Sequence, residues 1–258
     1  PGTEYVIKNI LEKNAPKPDK IFNAMIYRLI GREETLDRIR FQMFNTFNPK
    51  LFESKLKEIR DKEHKPIFTG AYLVSGYSQM GSKDKVENIS KIFANLQKNF
   101  ISLYKKISNA ETSEEVFRII NSTDGFGRFL SYQVLVDLLY KLKCYGNKPL
   151  LPFSHNDWAI AGPGAKRGIN IIIKNSIVSD LDFMKWLHNN QQKEFNRLNL
   201  DFKYLKNEKG QKIQLSLANI QNCLCEFYKY VKVKERIGRN RRKFIAKTRK
   251  DFYNDKNL

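Results

Sequence analysis

Ser122-Thr123-Asp124-Gly125-Phe126-Gly127-Arg128-Phe129-Leu130-Ser131-Tyr132-Gln133 ends one helix, turns, and starts another at once. The glycines let the backbone bend tightly and approach a partner closely. A new helix also presents unsatisfied N–H groups, which can hold a phosphate. An ordinary helix–helix turn would use the same residues, so the run fixes the local fold before any function.

Outward from this turn, most segments carry helical rather than alternating periodicity. Upstream, helices are expected over 4–13, over 19–31 ending at Gly31, from Glu33 to about Phe44, and from Asn48-Pro49 to about Lys62. Ile67 to Gly81 is Gly-rich and aromatic, and reads as irregular or as a short strand. Helices resume over 83–107 and over 114–121, the latter with Ser113 as its cap. Downstream, an apolar helix is expected over 128–143, then a Gly/Pro-rich connection from Gly146 to Gly168, then helices over 180–199 and 213–233. The expected fold is all-α, mostly helical, in two packed lobes. The expected organisation is one domain over 1–258 with a basic C-terminal segment, 229–258.

Charge gives the partner class. The 258 residues carry 47 Lys and Arg against 27 Asp and Glu, a net charge of +20. Such an excess attracts polyanions, nucleic acid first among them, and a Lys-rich coding bias is the bland alternative. From Lys229 to Lys250 there are eleven cations and one acid, Glu235. The segment, with Arg239, Arg241, Arg242 and Lys243, is expected to contact phosphates, the alternative being a solvated tail. Three cysteines, none in a C-x-x-C pair, argue against a disulfide framework and a metal centre, and for a reducing, cytoplasmic setting. No signal peptide is read at the opening PGTEY, and no apolar run approaches membrane length. Neither a cofactor nor a protein partner is called for.

Two further groups can carry chemistry. His155-Asn156-Asp157-Trp158 leads through Gly162-Pro163-Gly164 to Lys166-Arg167. Asp157 can stabilise positive charge developing on a sugar and assist an attacking water, or it can simply cap the turn that follows. Phe68-Thr69-Gly70-Ala71-Tyr72, with Tyr77, Tyr132 and Trp158, can form a slot for an extruded base or can be core packing.

The turn resembles the hairpin of helix–hairpin–helix DNA glycosylases, in which a G-x-G turn grips the DNA backbone. Asp157 lies 30 residues beyond Gly127, longer than that superfamily's usual spacing. No Lys adjoins the hairpin, so a water-using, monofunctional enzyme is expected. Several stretches also resemble the helical family labelled α-glutamyl/putrescinyl thymine pyrophosphorylase and 5-hydroxymethyluracil DNA kinase helical domain. They are Phe22-Asn23 with Tyr27-Arg28, Phe68 to Tyr72, Gly127-x-Phe129-Leu130-x-Tyr132-Gln133 with Asp137-Leu138, Asn156-Asp157-Trp158 before Ala161 to Ala165, and Leu224-Cys225-Glu226-Phe227 with Lys229-Tyr230. Arg128 departs from that family's Gly-Pro-Phe.

The resemblance implies a glycosylase-like fold, Asp157 as the catalytic residue, and Arg28, Tyr72, Tyr132 and Gln133 near the site. The expected function is hydrolysis of the N-glycosidic bond of a bulky 5-modified pyrimidine in double-stranded phage DNA. It leaves an abasic site, as an antiphage defence. The base pocket would comprise Arg28, Tyr72, Phe129, Tyr132, Gln133, Asn156 and Trp158. Gly125, Gly127, Arg128, Lys166 and Arg167 would bind DNA beside the C-terminal cations. The alternatives are a transferase that attaches an amine or amino acid to activated 5-hydroxymethyluracil and, third, a non-catalytic DNA-binding module. A nucleotide-binding G-x-x-x-x-G-K-[ST] loop is absent from the sequence.

Overall fold

Gly31 closes the first long helix in the left-handed conformation, φ 61°, where a side chain would strike Thr69 and Tyr72. That helix, α2 (Lys17–Ile30), is buried along nearly its whole length and is the axis of the larger lobe. A computed structural model describes residues 2–174, 177–207 and 209–237. Before α2 comes α1 (Gly2–Val6), running into a π turn at Ile7–Leu11. After it come α3 (Glu33–Ile39), α4 (Pro49–Lys57), α5 (Lys85–Asn109), α6 (Ser113–Asn121) and α7 (Arg128–Leu138). The smaller lobe holds α8 (Pro163–Ile172), α9 (Asp180–Arg197) and α10 (Leu217–Lys234). A two-stranded antiparallel hairpin, β1 (Leu205–Lys206) with β2 (Lys212–Ile213), precedes α10. The architecture is all-α in two packed lobes, as the periodicity indicates. Among the described residues no helix is long and apolar enough to cross a membrane.

Several boundaries differ from expectation for local reasons. The third helix stops at Arg40, which takes φ 61°, rather than running to Phe44. The cap of α6 is Thr112, whose hydroxyl accepts from the Glu115 N–H; Ser113 is already inside the helix. The helix after the hairpin ends at Leu138, five residues early. The expected 146–168 connection ends at Pro163, which starts α8 at the position where a helix needs no donor. The segment 67–81 contains no strand, only a 3₁₀ turn at Ser78–Met80.

The larger core is aromatic. Phe22 meets Phe47, Phe93 and Phe100 edge-on, with ring centres 5.2, 6.0 and 5.1 Å apart. These offset contacts add to the area that each ring buries. In the smaller lobe Gly164 and Gly168 lie one turn apart on the face of α8 that meets α10. A methyl group at Gly168 would collide with the Leu224 carbonyl, and one at Gly164 with Cys225 Sγ. The two glycines therefore set how closely the helices pack, and so where the N-terminus of α8 points.

Candidate nucleic-acid interface

The hairpin is built from below. Gly125 sits on the Ile92 side chain with φ 84°, leaving no room for a Cβ and no conformation that favours one. Phe126 is buried, and the Ser131 hydroxyl donates to the carbonyls of Phe126 and Gly127, each at 3.0 Å. The Tyr77 hydroxyl donates to the Gly125 carbonyl at 2.9 Å, tying the 67–81 segment to the turn. That segment is irregular but pinned. Tyr72 donates to the Arg28 carbonyl (2.8 Å), Lys85 to Val74 (2.7 Å) and Asn88 to Gly76 (2.8 Å). Burial lowers the Lys85 pKa, and its ammonium rests 4.0 Å from the Phe68 ring centre.

Between this segment, the hairpin and α8 lies a cleft of about 1010 Å³. Two helix N-termini open onto it. Gly127 precedes α7 and Gly162 precedes α8, both with extended backbone and neither with a side-chain cap. The start of α7 leaves N–H groups and the positive end of a helix dipole at the cleft, while at the start of α8 the lining residues are Ala161 and Pro163, the latter without an N–H. Arg128, Lys166 and Arg167 line the same space, all exposed. Among the described residues no ion pair engages Arg128 or Lys166, while Arg167 lies over the Tyr228 ring. Asp124 and Asp180 line it as well. Phe129 exposes part of its ring to the cleft and meets Tyr72 edge-on at 5.3 Å. Leu73, Ser75 and Gln79 complete the facing wall.

The residues expected to form one site therefore separate. Gly125, Gly127, Arg128, Phe129, Lys166 and Arg167 line the cleft, with Tyr72 behind Phe129. Arg28 instead forms a two-pronged ion pair with Asp137, Nε to Oδ2 at 2.6 Å and Nη2 to Oδ1, in the core. Complete burial raises the Asp137 pKa against the pull of the guanidinium. Desolvation disfavours the Arg28 charge, but the adjacent carboxylate more than offsets it and the Arg28 pKa is raised. Tyr132 is buried against Trp158, ring centres 6.0 Å apart, and Trp158 packs on Phe117. Burial raises the pKa of the Tyr132 hydroxyl. Gln133 is half-buried on α7. Asn156 accepts from the Leu217 N–H at 3.2 Å, joining the 154–158 turn to the start of α10.

Asp157 is exposed and is not among the residues lining the cleft. Its two oxygens take the Ser154 N–H (2.8 Å) and hydroxyl (2.6 Å), a closed local turn. Next to it, burial lowers the His155 pKa, and Nε2 donates to the Val136 carbonyl at 2.8 Å. Arg239, Arg241, Arg242 and Lys243 lie outside the described residues. Sequence reasoning missed the second N-terminus and the wall at Leu73, Ser75 and Gln79. The signal for the first was present: Pro163 directly after Gly162 is a helix-start pair.

A family model described as "5-hmdU DNA kinase, helical domain" matches residues 1–239. The chain belongs to that family. It is 27% identical over 235 residues to the 5-hmdU DNA kinase of Bacillus phage SP10, a match covering 88% of the present chain and 36% of the relative. The chain thus spans about a third of the length of that curated relative. No solved structure matches it.

Membership overturns the expected reaction. The family and the relative are named for a kinase, a phosphoryl-transferring enzyme, not for a hydrolase of N-glycosidic bonds. Base excision, the abasic product, the antiphage role and the place of Asp157 as the hydrolytic carboxylate are withdrawn. Base extrusion loses its rationale as well. Helices α6 and α7 do form a helix–turn–helix pair around the G-x-G turn, but nothing beyond this local likeness relates the fold to the glycosylases.

Proposed function

We propose that this helical domain is the DNA-gripping part of a kinase that acts on 5-hydroxymethylpyrimidines in DNA. The observation that carries the reading is the cleft. The uncapped start of α7 at Gly127, the start of α8 at Pro163, and three cations, Arg128, Lys166 and Arg167, line one space in a chain of net charge +20. Backbone N–H groups at helix ends and Lys/Arg side chains are the groups that hold DNA phosphates and set register without reading sequence. Family membership supplies the substrate class: the relative's name gives 5-hmdU in DNA. In the transfer, the hydroxymethyl oxygen takes the γ-phosphoryl group of a nucleoside triphosphate. A C–O–P linkage forms, and the nucleoside diphosphate and a proton leave. The sequence has no G-x-x-x-x-G-K-[ST] loop, so the nucleotide-holding role is not assigned to this chain.

The alternative weighed from sequence, group transfer at 5-hydroxymethyluracil, agrees with this reading in substrate and differs in the group transferred. Fluorescence anisotropy on matched duplexes tests the proposal. One duplex carries a central 5-hydroxymethyluracil and the other thymine. The domain is expected to bind both with a steep salt dependence, and to bind the hydroxymethyl duplex at least as tightly. Absence of binding to either duplex at low salt would overturn it.

A further inference from the structure

The His155-Asn156-Asp157-Trp158 run has lost its hydrolytic role, yet each of its side chains is engaged. Asp157 closes the turn, its carboxylate taking the Ser154 N–H and hydroxyl. The Ser154 hydroxyl oxygen in turn accepts from the Asn156 N–H at 3.2 Å. On one side the turn grips the larger lobe. His155 Nε2 donates to the Val136 carbonyl of α7 at 2.8 Å, and the imidazole meets the Tyr140 ring edge-on at 4.5 Å. Trp158 packs on Phe117 of α6, ring centres 5.0 Å apart, and on Tyr132 of α7. On the other side it grips the smaller lobe. Asn156 Oδ1 accepts from the N–H of Leu217, the first residue of α10, at 3.2 Å. A helix start has no internal partner for that donor, so Asn156 supplies one from outside.

The turn matters because the helices of the two lobes scarcely meet directly. Among the described residues α8, α9 and α10 pack on one another, α8 and α10 most closely, and none of them forms an extensive face with α1–α7. The cleft nevertheless takes its walls from both lobes. Gly127 and Arg128 come from the start of α7, and Lys166 and Arg167 from α8. Gly164 and Gly168 set α8 against α10, and Arg167 lies 5.5 Å from the ring centre of Tyr228 on α10. Asn156 therefore fixes where α10 begins, α10 fixes α8, and α8 places two of the three cations relative to Arg128. Phosphates of a duplex stand at fixed spacings, so cations on two walls reach them together only when the walls are in register.

We infer that the 154–158 turn is a clasp that holds the two cation-bearing walls of the cleft in register for duplex DNA, with Asn156 the positioning residue on the α10 side. The ligand in this inference rests on the proposed function. A smaller lobe released from the clasp keeps every charge but has to be ordered at each encounter, and that ordering weakens binding.

The test is the salt dependence of duplex affinity, measured on the whole chain as a double-mutant cycle. Asn156→Ala is expected to lower the slope of log K against log salt by roughly 1–2, the share of Lys166 and Arg167. In that background Lys166→Gln/Arg167→Gln should change the slope little further. Arg128→Gln, on the α7 wall, should keep its full effect of about 0.9. Asn156→Asp, which keeps an acceptor for the Leu217 N–H, should restore most of the slope. Urea denaturation of the same variants separates positioning from stability, since a merely structural role would move the midpoint and leave the slope alone. An unchanged slope in Asn156→Ala, full additivity with Lys166→Gln/Arg167→Gln, or no recovery in Asn156→Asp would overturn the inference. If the wild-type chain binds no duplex, the proposed function fails and the clasp with it. If it binds and the cycle is additive, the clasp alone fails.

Discussion

Removing the Arg28 guanidinium should unfold the protein more readily rather than disarm it. Arg28→Met keeps the length and apolar stem of the side chain but strands Asp137, whose side chain is 0% exposed. Breaking a buried pair by deleting one partner costs about 3–5 kcal/mol, because a charge or its protonation is left uncompensated. For a chain of this size that is roughly 6–20 °C in Tm. Urea denaturation followed by tryptophan fluorescence at pH 7 and pH 5 measures it. The sign at lower pH follows from Asp137. Its folded pKa is already raised by burial and rises further without the guanidinium, so the folded state takes up a proton before the unfolded chain does. The deficit of Arg28→Met should therefore narrow as pH falls toward the unfolded carboxylate value of about 3.9. Arg28→Met with Asp137→Leu, which removes both charges, should recover most of the loss. A change below about 1 kcal/mol at pH 7 in Arg28→Met, with DNA affinity selectively lost, would refute a structural role and return Arg28 to the binding site.

Gly168→Ala sets two effects against each other. Alanine gains about 1 kcal/mol of helix propensity, but its methyl meets the backbone carbonyl of Leu224, and overpacking of that kind costs about 1–3 kcal/mol. A net loss in urea midpoint is expected, accompanied by weaker DNA binding because α8 carries Lys166 and Arg167; a stabilised variant would contradict the close α8–α10 packing. His155 gives a pH signature of its own. Its folded pKa is lowered, so its contribution is complete above the unfolded value of about 6.5 and is lost as pH falls through the window below it. The stability difference between wild type and His155→Gln should therefore shrink between pH 7 and 5, and a pH-independent difference would show that His155 is not held neutral.

The helical periodicity of α2, α4, α5 and α9 was legible because each buries one face or more and starts with a recognisable capping or proline signal. The hairpin was legible too, because Gly125 and Gly127 bracket a buried Phe126. What failed was anything decided by distant contacts. Arg28 and Asp137 are 109 residues apart, and nothing local marks them as partners. Gly162-Pro163-Gly164 reads as a loop by composition; Pro163 marks the helix start locally, but that the helix packs on α10 through Gly164 and Gly168 is set by contacts more than 50 residues away. Asp157 carried the chemical reading because an acid near a hairpin suits excision. Its carboxylate instead closes the preceding 154–157 turn, taking the Ser154 N–H and hydroxyl, where the alternative read from the sequence had it capping the turn that follows. The reaction for which the family and the relative are named came from kinship, since no motif in the sequence separates a phosphoryl transfer from a hydrolysis.

The central claim is that the cleft, rather than diffuse positive charge, holds DNA. The direct measurement is the salt dependence of duplex affinity for Arg128→Gln/Lys166→Gln/Arg167→Gln. The control, Lys98→Gln/Lys105→Gln/Lys106→Gln, removes the same charge from the exposed face of α5. Each lost phosphate contact should lower the slope of log K against log salt by about 0.9. The account predicts a slope reduced by roughly 2–3 in the cleft variant and nearly unchanged in the control. Equal slopes in the two variants would contradict it.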